Sequence, residues 1–296
     1  MNRTMLVFLF PADPIDPKRV DFDYEKEYAA ARIYCDVGLL QLEQLIESNI
    51  VKIDHLFPKG MTIIYRGWML TPKQYSTLQH WAEEHGFRLC ISLEEYTNTH
   101  LLPNWSNRPN TLHSEWTEDL SQSALSWLLS RFNSAVTIKD FVKSRKHEWA
   151  EAFFIPDSSD ITHAMNVIHT FIERQGEQLV GGVVLREFVD LKEIGHHPKS
   201  DSPIFEEYRV FYWQTQPILI IDYWNNETVS LKQQELDFIA EQAHGIASPF
   251  FTIDYARKTN EELVIMEMGD GQVSGLQEYD EEIFYEKLIE ALEKES

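Results

Sequence analysis

The sequence predicts an α+β protein in two parts: a small α/β N-terminal domain at residues 1–115 and a larger region at 116–296. Three observations carry this. Before residue 100, strand-like apolar runs alternate with helix-like segments. The stretch "LLPNWSNRPNTLHSEW" (101–116) is rich in Pro and Asn, follows neither period, and reads as a linker. Beyond it, strand-like runs follow one another directly, with helices set between the pairs.

The elements follow in order. Met5–Phe10 is a six-residue apolar run ending at Pro11, which reads as a first strand and a turn; Met61–Tyr65 and Phe87–Ile91 are two more strands. "TPKQYSTLQHWAEEHG" is a helix with Thr71 as cap, Pro72 in its first position and Gly86 at its end. "SAVTIKDFVKS" is a strand entering a polar turn. "SSDITHAMNVIHTFIERQGE" places Ile161, Ala164, Met165, Ile168, Phe171 and Ile172 at helical spacing. "LVGGVVLREFVDL", "YRVFYWQ" and "PILIIDYW" are strands. "SLKQQELDFIAEQAHG" is a helix with Ser230 and Gln233 as its capping box. "PFFTIDYARK" and "ELVIMEMG" form a hairpin turning at Thr259 and Asn260. A last helix at 280–294 has Ile283, Phe284, Leu288, Ile289 and Leu292 on one face.

Composition narrows the function. The 296 residues hold 43% hydrophobic and 12% aromatic side chains, enough for a packed core. The net charge of -22 disfavours broad binding to a nucleic-acid backbone, because the phosphates would be repelled. Two cysteines, Cys35 and Cys90, with no CxxC, exclude a cysteine zinc site and fit a cytoplasmic protein. No apolar run approaches 18 residues, so no membrane segment is expected. Neither GxGxxG nor GxxxxGK[ST] is present, and neither is a GxSxG elbow or an HExxH pair. The adjacent His196 and His197 lack a spaced third ligand.

The remaining chemistry centres on "VIMEMGDGQVSG", which plants Glu267 in an apolar strand and Asp270 at its exit. With a two-residue turn, Lys258 faces Glu261, Asp254 faces Ile265 and Glu267 faces Thr252. Asp254 and Glu267 then share a face as diagonal neighbours roughly 7–8 Å apart. A three-residue turn would send them to opposite faces. Carboxylates so placed suit a Mg²⁺–nucleotide site, or equally a solvated face or ion pairs with Lys and Arg. Lys139 ends "VTIK", Lys143 and Lys146 follow it, Arg186 sits inside "VVLREF", and Arg209 inside "EYRVF". An Arg in an apolar strand needs an anionic partner, either a protein carboxylate or a ligand phosphate. Arg66 and Trp68 in "YRGWML" read as core or as the wall of a substrate pocket.

Taken in order, the strand-end Lys139, a helix, "VLREFV", "EYRVF", "DYA" and "MEMGDGQVSGL" resemble the ATP-grasp superfamily. The likeness is greatest to the clade named for one arginine and two lysines, which is similar to the cell-division-cycle assembly factors of translation initiation. "YRGWMLTPKQYSTL" is similar to the domain that precedes the ATP-grasp core in that clade. The resemblance implies a two-lobed core that binds ATP and Mg²⁺. Lys139 and Lys143 would meet phosphates, and Glu187, Phe188 and Val189 would form the adenine hinge through the Phe188 and Val189 backbone. Arg186 and Arg209 would face phosphates or the acyl substrate, and Asp254 and Glu267 would hold the metal. The chain departs from the family's Glu-x-Asn ending, reading Glu267-Met268-Gly269, so Asp270 would supply the missing oxygen.

The implied activity is a ligase that joins a carboxylate to an amine or thiol through an acylphosphate. An ATP-binding assembly or immunity factor acting on a protein partner is the alternative, motivated by the acidic charge. A fold that has lost its nucleotide is the third.

Overall fold

The computed structural model describes residues 5–199, 201–224 and 230–294. Two compact units are woven from non-contiguous pieces of chain. One comprises Met1–Thr99, Arg209–Thr252 and Gly269–Ser296; the other comprises His100–Tyr208 and Ile253–Met268. The units therefore do not follow a single division at 115/116.

In chain order the described elements begin with β1 (Leu6–Pro11), α1 (Glu25–Ala31), β2 (Asp36–Leu40), α2 (Leu42–Ser48), β3 (Thr62–Tyr65), α3 (Pro72–Glu84), β4 (Arg88–Leu89) and α4 (Leu93–His100). They continue with α5 (Leu102–Trp105), β5 (Ser114–Thr117), α6 (Gln122–Leu129), β6 (Val136–Lys139), α7 (Trp149–Ala152), β7 (Phe154–Ile155), α8 (Ile161–Gln175) and β8 (Val183–Glu187). The last are β9 (Glu193–His196), β10 (Pro203–Phe205), β11 (Glu207–Trp213), β12 (Gln216–Asp222), α9 (Gln233–Gln242), β13 (Phe250–Arg257), β14 (Leu263–Asp270) and α10 (Glu281–Glu293).

The first unit holds a parallel sheet in the order β2-β1-β3-β4. Its central strands β1 and β3 are buried on both faces, as crossover connections require. Tyr75, Leu78 and Ala82 of α3 pack into its core, as do Phe284, Tyr285, Leu288 and Leu292 of α10. Helix α3 starts as expected: Thr71 caps Gln74 in a reciprocal capping box with Pro at the first turn. Ile283, assigned to the apolar face of α10, lies outside that core, and Tyr285 takes its place. Helix α9 begins differently from expectation. The Glu235 carboxylate accepts from the Lys232 N–H at 2.7 Å, so Lys232 is the cap position rather than Ser230.

The second unit holds an antiparallel sheet in the order β5-β8-β6-β7. Val136, Ile138, Val183 and Leu185 pack one of its faces onto α6 and α8. The stretch expected to be a linker is ordered here: Leu102 and Trp105 of α5 are buried, and Ser114–Thr117 is an edge strand on β8. The sequence lacked periodicity there because α5 is one turn long. A further sheet runs in the order β12-β11-β13-β14. Two glycines make the β8 entry work: a Cβ on Gly182 would meet the Thr117 carbonyl oxygen at 2.1 Å, and Gly181 takes φ +72.

The β13–β14 turn has three residues, not two. The Lys258 N–H donates to Glu262 and the Glu261 N–H to Lys258, with Glu261 in the left-handed region at φ 70. Counting inward from this turn pairs Asp254 with Met266. At the far end, however, the Gly271 N–H donates to Phe250, and Gly269 lies beside the Thr252 hydroxyl. Counting inward from there pairs Asp254 with Glu267. The two counts differ by one residue on β14, the signature of a bulge. Turn parity alone therefore does not decide which face Asp254 and Glu267 take.

Candidate functional site

Strand register places the site. Arg186 of β8 is opposed by Thr137 of β6 and Ser114 of β5, and Thr137 is opposed by Phe154 of β7. Opposed residues share a face, and Lys139 lies two residues beyond Thr137. One row therefore carries Phe154, Thr137, Arg186 and Ser114, and Lys139 stands on the same face in the next row, opposite Val184. This is the face turned away from α6 and α8.

Two cations are buried on it. Lys139 is 4% exposed and Arg186 6%. The Lys139 ammonium donates to the Glu267 carboxylate in a short contact, with Glu267 the more open partner. Burial lowers the Lys139 pKa and Glu267 opposes that, while Arg186 adds repulsion. Burial likewise lowers the Arg186 pKa, and Glu267 acts against it. Its Nη1 donates to the Met266 carbonyl, and its guanidinium lies over the Trp105 ring at 5.6 Å. Among the described residues, Arg186 Nε and Nη2 have no hydrogen-bond partner. Two buried positive charges thus share this face with the partly exposed Glu267, and the buried Asp140 adds negative charge beside Lys139. His100 nearby stays neutral: burial, with the charges of Lys139 and Lys143, pushes its pKa down to about 3.

The turn after Lys139 is built by a residue that the sequence reading passed over. Asp140, fully buried, accepts from Val142 N (2.7 Å) and Lys143 N with one oxygen, and from Gln175 Nε2 (2.8 Å) and Val180 N (3.2 Å) with the other. An Asp two residues before a turn N–H is the familiar Asx pattern, and "KDFVK" carried that signal. The turn leaves Lys143 exposed at its tip.

At the β7 end of the row lies a half-buried aromatic group. Phe154 and Phe188 meet edge-on at 4.8 Å. Trp149 lies 5.2 Å from Phe154, 6.1 Å from Phe188 and 6.2 Å from Phe205. Only Phe188 of these was singled out from sequence. Its N–H donates to the Ala135 carbonyl at 3.0 Å, and the Glu187 N–H to His113. The Glu187 carboxylate accepts from the His113 N–H at 2.8 Å. Of the expected hinge residues, Phe188 therefore has its backbone donor engaged within the protein, and Glu187 both its N–H and its carboxylate.

The other expected residues lie elsewhere. Arg209 belongs to the first unit, where its Nη1 donates to Gly275 O at 3.0 Å and its guanidinium covers the Tyr223 ring. Asp270 also belongs to the first unit and is wholly buried. Its Oδ1 accepts from the Gln272 N–H (3.0 Å) and Nε2 (3.1 Å), and burial raises its pKa to about 7. Gln272 in turn accepts from Tyr65 N and donates to the Tyr75 hydroxyl. Arg66 is core: it grips Glu27 with Nε and Nη2 and donates through Nη1 to Gly271 O and Ser274 O, while Tyr285 donates to Glu27. Trp68 is half-exposed and donates to Asp21. Among the described residues no three His, Cys, Asp or Glu side chains are gathered to hold a metal. Asp254, Glu267 and Asp270 are thus not a three-carboxylate cluster.

A model of the ATP-grasp domain, family 3 of the clade named for one arginine and two lysines, matches residues 124–288. Among solved structures, the D-cycloserine synthetase DcsG is similar at 12% identity, with 97% of this chain and 99% of that one covered and a TM-score of 0.59. The ATP-grasp ligase PsnB, complexed with a phosphomimetic variant of its minimal precursor, Mg and ADP, is similar at 12% identity, with 98% and 99% covered and a TM-score of 0.56. D-alanyl-alanine synthetase A from Vibrio cholerae O1 biovar eltor str. N16961 is similar at 10% identity, with 99% and 98% covered and a TM-score of 0.57. These likenesses show a shared fold. No curated protein matches the chain significantly.

Proposed function

The chain belongs to family 3 of the ATP-grasp clade named for one arginine and two lysines, and on that premise we propose that it is an ATP- and Mg²⁺-dependent ligase joining a carboxylate to an amine or thiol. The observation that carries this reading is the β6–β8 face, where Lys139 and Arg186 are both buried and two nitrogens of Arg186 have no hydrogen-bond partner among the described residues. An unpaired buried cation is costly, and an oxyanion is the partner that removes the cost. The phosphates of ATP supply one.

In this reading Lys139 meets a nucleotide phosphate, and Lys143, at the tip of the turn held by Asp140, meets another. The aromatic group of Trp149, Phe154, Phe188 and Phe205 offers ring faces for the adenine base. With Phe188 N–H engaged by Ala135, the backbone of Val189 is the hinge group assigned to the base. Asp254 and Glu267 are the carboxylates assigned to Mg²⁺, which takes one or two protein carboxylates and completes its shell with waters and phosphates. That ion would neutralise charge on the phosphates. Asp270 is left out of the metal set because it is wholly buried and its Oδ1 is held by Gln272. Arg209 remains assigned to the acyl substrate.

The reaction is then positioning and charge neutralisation. A substrate carboxylate oxygen attacks the γ-phosphorus and ADP leaves. The amine or thiol attacks the carbonyl carbon of the acylphosphate, loses its proton and expels phosphate. No nucleophilic side chain is required, in keeping with the absence of a Ser or Cys motif. Two cysteines in 296 residues, with no CxxC pair, fit a cytoplasmic location. The net charge of -22 favours a second reading, an ATP-binding factor with a basic protein partner.

Calorimetry with Mg-ADP on wild type and Lys139→Met, followed by ADP release across a panel of acids and amines, tests both. The ligase reading expects binding that weakens at least tenfold in the variant, in line with the loss of a charge-assisted contact, and turnover with one acid–amine pair. Binding without turnover for any pair would favour the partner reading. No Mg-ADP binding by the wild type would remove both.

A further inference from the structure

The Arg186 guanidinium has an unused edge. Nη1 is taken by the Met266 carbonyl, and Nε and Nη2 have no partner among the described residues. Those two nitrogens lie along one edge of the planar group and form the fork that matches two oxygens of a carboxylate or phosphate. Beside it stands Trp105, 2% exposed, whose ring lies under the guanidinium at 5.6 Å. Its indole Nε1–H is also buried without a partner among the described residues, as is the hydroxyl of the next residue, Ser106. An indole N–H can only donate, and a guanidinium can only donate. A buried donor left unmade is costly, and adjacent side chains that leave three N–H-bearing atoms unmade point to a missing acceptor. Lys139 does not fill that role, being cationic, and Glu267 is already bonded to Lys139.

We propose that the open edge of Arg186 and the indole N–H of Trp105 form an oxyanion subsite that takes a carboxylate or phosphate group during the reaction. The proposal rests on the ligase reading above for its purpose, and assigns Trp105, which precedes the matched residues 124–288, as a substrate-contacting residue. The anion can be the carboxylate of the acyl substrate or the phosphoryl group moving onto it; both present two or more oxygens to the fork. Trp105 serves twice, its ring face orienting the guanidinium and its N–H adding a third donor.

The test is titration of the full chain with inorganic phosphate and with acetate, each alone and in the presence of saturating Mg-ADP. Wild type is expected to bind at least one of them. Trp105→Phe keeps a ring under Arg186 but loses the N–H, and should weaken that anion about tenfold. Its Mg-ADP affinity should stay within about twofold of wild type. Arg186→Lys, which has no fork, should weaken the anion further. Preference for acetate in the Mg-ADP complex assigns the subsite to the acyl substrate; preference for phosphate assigns it to the transferred group. Equal anion affinity in wild type and Trp105→Phe overturns the proposal, and so does the absence of anion binding by wild type. Failure of Mg-ADP to bind strikes the nucleotide reading alone, since the nucleotide-free titrations still decide the subsite. Where Trp105→Phe folds poorly, the Trp105 indole ¹⁵N–¹H resonance of the wild type decides: a downfield shift on adding anion supports the subsite, and an unmoved resonance overturns it.

Discussion

Replacing Glu267 by Gln tests the charge logic of the site directly. The substitution keeps the shape of the side chain and removes the negative charge facing Lys139. Breaking a fully buried ion pair from one side costs about 3–5 kcal/mol. Glu267 is 31% exposed while Lys139 is 5%, so water screens part of the loss and about 2–3 kcal/mol is expected. Urea denaturation at neutral pH should show a lower midpoint with an unchanged slope. Lys139→Met in the Glu267→Gln background should recover much of the loss, because the unpaired ammonium is gone. A second consequence separates a structural pair from a phosphate site. Metal-free tripolyphosphate must compete with Glu267 for Lys139 in wild type but not in the variant, so it should bind Glu267→Gln roughly tenfold more tightly. Unchanged stability together with unchanged tripolyphosphate affinity would refute the reasoning.

Three other perturbations have definite signs. His100 is held neutral with its pKa pushed down to about 3, while in the unfolded chain it titrates near 6.5; the unfolded state alone gains a proton as pH falls through 6.5. Its contribution is therefore complete above that pH and lost below it, by about 2 kcal/mol between pH 7 and pH 5; His100→Gln should remove that component, as paired urea titrations would reveal. Arg66→Met strands the Glu27 carboxylate in the core and deprives the Gly271 and Ser274 carbonyls of their donor. A loss of about 3–5 kcal/mol is expected, and a melting temperature equal to wild type would contradict it. Gly182→Ala pushes a methyl against the Thr117 carbonyl oxygen at 2.1 Å and must part β5 from β8. It should cost about 1–3 kcal/mol and speed amide exchange in Ser114–Thr117.

Much of the fold was legible because local signals agree with it. The Thr71–Pro72 start of α3, the spacing of Ala164, Met165, Ile168 and Phe171 in α8, and the apolar runs of β1 and β3 all say locally what the tertiary structure does. The signal failed where the partner is remote. Segment 101–116 looks like a linker because its helix has one turn, and its strand is defined only by pairing with β8. Ser230 looked like a cap, yet Glu235 closes on the Lys232 N–H. The hairpin turn was one residue longer than the sequence suggested because Glu261 adopts a left-handed conformation that side-chain type does not announce.

The sequence by itself determined the α+β class, the order of its cations and carboxylates, and a likeness carried by "VLREFV" and "MEMGDGQVSGL"; these depend on residue types and spacing along the chain. Only the tertiary structure decided which charges are buried and what each one meets. Arg66 and Arg186 both end or lie in apolar strands, and nothing local distinguishes them. One is satisfied by Glu27 and two carbonyls, while the other keeps an open edge above Trp105. Asp270 and Glu267 sit three residues apart on one strand end, yet one is sealed against Gln272 and the other reaches Lys139. The reason is physical: the cost of a charge is set by burial and by partners distant in sequence, and those exist only once the chain has folded.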